Sequence, residues 1–368
     1  MVEAAVLGGA VLGGGGGGAM ADGRRHALLA VEMGEPELVT VEELPSDAVL
    51  VTASAVGAPA AKTAKDLPVY YVRVVEILAR ETRVDGLITN ECGGLAAVNG
   101  WLQAAMLGIP VVDAPCNGRA HPTGVMGSMG LHRVAGYVSR QAAVGGDPAA
   151  GTYVEMLVRG NLERAAALVR QASVQAGGMV AVARNPVTVS YARDNAAVGA
   201  IRQVLNVGRA MLEARGRGPM AMVEAACEVL GGKVLATGRV ADVRLETSGG
   251  FDVGRVVVQP SEGAALELDF WNEYAICERR SGQPGEQPGE RPGEAPSERL
   301  ATFPDLIATF DLSSGLPLSS AEIATGHEVV VVHVPRQRLI LGAGMRDPEL
   351  MRAVERAVGK DIVKYVFQ

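Results

Sequence analysis

The sequence predicts an α/β protein: an N-terminal α/β domain on a mainly parallel sheet, followed by a smaller β-rich C-terminal domain. Three observations predict it. Short apolar runs alternate with helix-period segments through the first half of the chain. From Gly231 the texture changes, and small or β-branched residues alternate with charged ones. At 368 residues the chain exceeds what one small core organises, so two domains follow. Hydrophobic residues make up 48% and aromatics only 4%, which predicts cores of closely packed small aliphatic side chains.

Taken in order, "VEAAVLGGAVL" is a helix or a buried strand, and "RRHALLAVEM" begins a second element. "DAVLVTASAVGAP" reads as a buried strand closed by a Gly-Ala-Pro turn. In "PVYYVRVVEILARETRV", Val72, Val75, Leu78 and Ala79 share a helical face. "DGLITN" and "IPVVDAP" are short strands, and the helix between them ends at Gly108. Residues 155–175 look helical, "GGMVAVARNPVTV" strand-like, and "NAAVGAIRQVLNVGRAMLEAR" is a long amphipathic helix. The expected division is residues 1–180 as the α/β domain with a strand and helix connection over 181–230 packed on it. Residues 231–345 are the β-rich domain, with a hairpin turn at "SGGFD". The Pro-Gly-Glu repeats over 281–299 are expected to be a flexible insertion without catalytic role. Residues 346–368 supply a last helix, capped by Asp347, and a tail.

Composition excludes several functions. A net charge of −7 lacks the basic footprint of a nucleic-acid binder and disfavours an anionic membrane. No apolar run reaches the roughly 20 residues needed to span a bilayer. No Lys or Arg precedes Arg24, so a secretory signal is not expected. Four dispersed cysteines (Cys92, Cys116, Cys227, Cys277) form no CxxC pair, which points to reduced thiols and a cytoplasmic protein.

Three clusters carry candidate chemistry. The first is the run of six glycines over 13–18, flanked by apolar segments. Bare amides before a helix can cradle an anion, so Gly14, Gly15, Gly16 and Gly17 are candidate substrate contacts; the alternative is a tight structural turn. No P-loop lysine follows the run. The second is "TNECGGLAAVNG", where a strand passes into a helix. Glu91 is a candidate general base with Gly93, Gly94 and Asn99 beside it, or else Glu91 and Asn90 cap a helix. The third is "VVDAPCNGRAHPTGVMGSMGLH". Asp113, Cys116, Asn117, Gly118, Arg119 and His121 are poor packing material and expensive to bury without partners. Arg119 suits a carboxylate or polarised carbonyl. Asp113 and His121 fit a shared proton or a divalent metal, and Cys116 fits either a nucleophile or a small buried hydrophobe. His26 falls on a helix near the glycines and His132 close to the third cluster, both less informative, whereas His327 and His333 beside an apolar strand read as structural, as does Asp305 in a turn. Asn272 and Glu273, between aromatics in "DFWNEYAIC", read as a rim or interdomain position.

Together with "NEY", "PDLI" and "TGHEVVVVHVP", these clusters give an ordered set that resembles the S-methyl thiohydantoin desulfurase family, itself similar in part to hydantoinase and oxoprolinase proteins. The resemblance spans nearly the whole chain outside the Pro-Gly-Glu insertion. It implies an N-terminal α/β domain and a smaller β-rich one, and hydrolysis of an S-methylated thiohydantoin to a hydantoin with release of methanethiol. The family's "EIGG" is "ECGG" here, so Glu91, Gly93 and Gly94 match while Cys92 departs. Of its "DADGMGRAFPE", Asp113, Gly118, Arg119 and Pro122 carry over, whereas Pro115, Cys116, Asn117, His121 and Thr123 depart. Those departures imply a subgroup with its own substrate.

Two functions follow as expectations. One is a hydrolase of a small cyclic amide or thioamidine ring. Glu91 or Asp113 would be its base, Arg119 and glycine amides its charge stabilisers, and His121 its acid; water or Cys116 would attack the ring carbon. The other is a non-catalytic small-anion-binding subunit, or a partner of a hydantoinase-type enzyme. A small-molecule substrate and a homo-oligomer or partner subunit are the expected associations. Both readings need polar side chains at strand ends to meet the glycine run in one hollow.

Overall fold

The computed structural model describes residues 1–58, 65–280 and 297–367. Its first helix, α1 (Val2–Gly13), is apolar on all sides and nearly all buried. The rest of the α/β part is α2 (Met20–Met33), β1 (Leu38–Val39), β2 (Val49–Gly57), α3 (Pro68–Ala79), β3 (Gly86–Thr89), α4 (Trp101–Leu107), β4 (Val111–Val112), β5 (Ser139–Gly145), β6 (Val154–Gly160), α5 (Leu162–Gln175) and β7 (Met179–Thr188). After these come α6 (Val189–Asn195), α7 (Ala200–Ala214) and α8 (Pro219–Leu230).

The seven strands order as β1-β4-β3-β2-β7-β5-β6. β1, β4, β3 and β2 pair in parallel, whereas β7, β5 and β6 join antiparallel. Five strands therefore run one way, and the sheet is mixed with mainly parallel strands. Its parallel half brings the carboxyl ends of β2 and β3 side by side, where such folds place ligands. β7 crosses the expected boundary at residue 180 and sits mid-sheet between β2 and β5.

One sequence expectation is corrected here. Residues 154–160 are not helical; they form the edge strand β6, and the helix starts at Leu162. Half-buried Val154, Met156 and Val158 alternate with exposed Glu155, Leu157 and Arg159, a period of two. Asn161 then caps α5, its Oδ1 accepting from the amides of Glu163 (3.0 Å) and Arg164 (3.2 Å).

Glycines let α1 and α7 touch backbone to backbone. A Cβ on Gly8 would fall 1.9 Å from the Val204 carbonyl oxygen, and one on Gly208 would fall 1.9 Å from that of Ala4. Both helices pack into the larger core cluster together with α8.

The second sheet holds β8 (Lys233–Ser248), β9 (Phe251–Pro260), β10 (Leu266–Trp271), β11 (Glu273–Arg279), β12 (Glu298–Thr302), β13 (Leu306–Asp311), β14 (Pro317–Leu318) and β15 (Glu328–Val334). All neighbours are antiparallel, in the order β12-β11-β10-β9-β8-β15-β13-β14. Gly249 and Gly250, both at positive φ, make the expected β8–β9 hairpin turn. Of the Pro-Gly-Glu insertion, residues 281–296 lie outside the described residues. Its read end does not: Glu298 and Arg299 belong to β12 and pair with β11. The chain closes with α9 (Pro348–Val358), whose N-terminal Glu349 amide donates to Asp347 Oδ1 at 2.9 Å, and α10 (Val363–Val366).

Candidate functional site

The glycine run is threaded between the two sheets. Gly14 and Gly15 turn their carbonyls to the β-rich domain, accepting from the amides of Tyr274 and Ser320, each at 2.8 Å. Gly17 turns back and accepts from the amides of Leu95 and Ala96 at 3.1 and 3.0 Å. Gly14, Gly15, Gly17 and Gly18 all have positive φ. A Cβ on Gly16 would meet Glu273 Oε1 at 2.2 Å, and one on Gly17 would meet Gly93 Cα at 2.5 Å. The run is therefore a packed joint whose last two residues, Gly17 and Gly18, line a cavity of about 100 Å³. Their amides find no acceptor among the described residues.

That cavity sits at the ends of β2 and β3. Ser54 and the residues after it in β2, with Asn90 and Glu91 beyond β3, form one wall. Arg170 of α5 and Arg184 of β7 form another, and Asn272 and Glu273 reach in from the second sheet.

Glu91 is the first key group. Its Oε2 accepts from the His121 amide at 3.1 Å and from Asn90 Nδ2 at 3.4 Å. Burial raises its pKa to about 7, against the opposing pull of that amide and of nearby arginines. Glu273 is the second. It is buried, its Oε2 has no hydrogen-bond partner, and burial followed by the charge of Glu91 holds its pKa well above the usual carboxylate range. Two carboxyls thus line one cavity and disfavour each other's ionisation.

Cations ring this pair. Arg170 lies 4.1 Å over the Phe251 ring and donates to the carbonyls of Gly57 (2.9 Å), Gly250 (2.8 Å) and Pro122 (3.2 Å). Arg184 donates to Asn90 Oδ1 at 2.7 Å, while its Nε is buried without a partner. Burial lowers the pKa of Arg170 to about 10. At neutral pH both arginines remain charged, which favours an anion or an oxygen on which negative charge develops.

The structure brings Glu91, His121, Asn99 and Gly17 to one cavity and leaves Asp113, Cys116, Asn117, Gly118 and Arg119 outside its lining. Burial and then the charge of Arg184 push the His121 pKa down to about 3, so its ring is neutral and does not fit the acid role expected of it. Asn99 lines the cavity, its Oδ1 buried and unpartnered. Arg119 lies behind the cavity wall. Its guanidinium sits 4.6 Å over Phe303, Nη1 donates to the carbonyls of Pro304 and Asp305, and Nε donates to that of Ala120. Burial lowers its pKa to about 10.

Asp113 and Cys116 are in neither wall of the cavity. Asp113 Oδ1 accepts from the Ile201 amide at 2.7 Å, and Oδ2 lies 3.3 Å from Arg202 Nε, so it secures the start of α7. It does not meet His121, and the metal pair envisaged for them does not form. Cys116 is fully buried in the core, 3.4 Å from the Thr52 hydroxyl, and burial raises its thiol to about 11. A neutral thiol away from the cavity is no nucleophile. Asn117 joins Met126 to Gly342, Gly118 abuts the Ile340 carbonyl, and Gly93 and Gly94 pack on Gly17 and Gly18, all backbone contacts. Glu267, Asp269 and Glu278, the acidic cluster closest in form to a metal site among the described residues, converge on the Lys360 ammonium at 2.6–2.7 Å.

Sequence reasoning missed Arg170 and Arg184 and read Glu273 as a rim or interdomain position, of which the interdomain placement is the one found. The signal for Arg184 was a lone charge inside the apolar strand "VAVARNPVTV". Arg170 lies on an amphipathic helix, where an arginine looks like solvated surface.

Comparison with known proteins fits this picture. No curated protein matches the sequence. A crystal structure of a protein from Chromobacterium violaceum superposes with a TM-score of 0.70, covering 97% of this chain and 95% of that one. At 21% identity that likeness shows a shared fold. Two family models match, the S-Me-THD-like N-terminal domain over residues 1–149 and the S-Me-THD-like C-terminal domain over residues 160–343. The second match begins at β6's last residue, so its share includes α5 and β7 of the first sheet. With both models matched in order along the chain, and with the glycine run, Glu91 and Glu273 drawn to one cavity, this chain belongs to the S-Me-THD-like family.

Proposed function

We propose that this protein is a hydrolase of a small five-membered cyclic amidine, of the S-methyl thiohydantoin class. The observation that carries the reading is the Glu91–Glu273 pair: two carboxyls lining one cavity, Glu91 partly exposed and Glu273 buried, whose surroundings leave the first ionisable near neutrality and hold the second well above the usual carboxylate range. Such a pair divides into base and acid. Glu91 accepts a proton from water as the water oxygen bonds to the ring carbon bearing the methylthio group. The C=N electron pair moves to the ring nitrogen. Collapse of the adduct forms the carbonyl and breaks the C–S bond, and the departing methanethiolate takes a proton from Glu273. One water proton ends on the ring nitrogen and the other resets the acid, so hydantoin and methanethiol are the products. The free Gly17 and Gly18 amides and the Arg170 and Arg184 charges stabilise the negative charge that develops on the ring.

The test is thiol release from a panel of S-methyl thiohydantoins. Wild type is expected to release methanethiol and Glu91→Gln to lose that activity. A second reading has its own observation: Arg119 Nη2 and Arg184 Nε are buried donors without partners, as a small-anion-binding subunit of a hydantoinase-type assembly would have. Wild type that is inert on every ring, yet binds a hydantoin by calorimetry, would favour it.

A further inference from the structure

Around His121 the hydrogen-bond chain fixes where protons sit. Arginine only donates, so Arg184 Nη2 at 2.7 Å from the Asn90 side chain requires the amide oxygen on that side. The amide nitrogen then faces His121, and Asn90 Nδ2 lies 3.1 Å from His121 Nε2. An amide N–H cannot accept, so Nε2 must. The neutral imidazole therefore carries its proton on Nδ1, which is buried and makes no hydrogen bond of ordinary geometry among the described residues. Gly127 leaves room for this chain, because a Cβ there would fall 2.3 Å from Asn90 Oδ1 and 2.6 Å from His121 Cε1.

Glu91 Oε2 lies 3.3 Å from the same Nε2. With the one lone pair of Nε2 engaged by Asn90, that contact offers the Glu91 carboxylate no donor and is repulsive to its charge. We propose that Arg184 and Asn90 are positioning residues that lock His121 as the Nδ1–H tautomer, so that Glu91 faces a bare ring nitrogen rather than an N–H donor. The role in turnover rests on the hydrolase reading above; the tautomer does not. The other charges facing Glu91 are Arg119, Arg170, Arg184 and Glu273. The arrangement explains how a base flanked by arginines can still hold a proton once it has abstracted one: the ring beside it presents no N–H to stabilise the carboxylate.

The test is the tautomer of His121 in the full-length protein labelled with nitrogen-15 histidine, read from long-range proton–nitrogen correlations. The His121 signals are assigned by their loss in His121→Gln. Wild type is expected to show Nδ1 protonated and Nε2 bare. In Asn90→Asp the carboxylate accepts instead of donating, and the proton is expected to move to Nε2 while the other four histidines keep their signals. Arg184→Met, which frees the Asn90 amide to turn, is expected to give a mixture of tautomers. Wild type with Nε2 protonated, an unmoved tautomer in a folded Asn90→Asp, or a purely Nδ1–H ring in Arg184→Met would each overturn the proposal. A locked Nδ1–H tautomer in a protein that releases no thiol would overturn the hydrolase reading alone.

Discussion

Glu91 is asked to do its work ionised, although burial favours its neutral form. The rate should therefore rise with pH through about 7 and fall again only where Glu273, the acid, ionises at higher pH, with no limb from His121, whose pKa is pushed down to about 3. Glu91→Gln should lower kcat by about 10²–10⁴, the usual worth of a positioned base, with a smaller change in KM. A profile flat from pH 5 to 9 would remove Glu91 from that role. Cys116 offers the complementary measurement. Its thiol is buried and protonated, so Cys116→Ser should retain turnover within a few-fold, and thiol-directed alkylation should not inactivate the native protein. Individual residues were legible in the sequence where a motif exposed them, as with Glu91 in "ECGG". They were illegible where burial decided the role. Cys116 and Asp113 sit in the same dense cluster as His121, but a strand end and a helix start turn them away from the cavity. Arg170 and Arg184 gain their meaning only from the fold that brings α5 and β7 to β3.

At the scale of elements, the glycines sort by what faces them. Gly208 on α7 meets the Ala4 carbonyl, which is backbone and cannot move aside. Gly208→Ala should cost about 1–3 kcal/mol by overpacking, read as a lower denaturant midpoint, with kcat of the folded fraction unchanged. Gly16 differs, because its would-be Cβ meets the end of the Glu273 side chain. Gly16→Ala should displace that carboxyl and depress kcat by more than it depresses stability. An equal loss of both in the two variants would reduce the run to packing alone. The helix–strand alternation that announces the parallel half of the first sheet was visible in the residues, and so was the β texture after Gly231. The edge strand β6 was not. It is half-buried with one exposed face, and it runs into α5 after a single residue, so a window across both reads as one helix.

The whole molecule carries the cost of the site. Glu91 has an ordinary pKa of 4.5 when exposed and about 7 in the fold. Below pH 4.5 the group is neutral in both states, and folding loses nothing by burying it. Between 4.5 and 7 the unfolded chain ionises first, so folding must take back a proton and stability falls as pH rises. At 1.36 kcal/mol per unit, the decline from this residue is roughly 3 kcal/mol, complete once pH exceeds the folded value. Glu273 acts in the same direction at higher pH. Arg119 bears on the same balance, since it pins the Phe303–Asp305 turn of one sheet to the loop after β4 of the other and faces both carboxyls. Removing its charge leaves them less compensated, so Arg119→Met should be destabilised at every pH and most above 7. Glu91→Gln, which never ionises, should instead gain on wild type as pH rises from 5 to 8. Equilibrium unfolding in denaturant across that range checks both. A wild-type stability that climbs over the same interval, or a Glu91→Gln difference that does not widen, would show that the buried carboxyl is not held protonated by its surroundings.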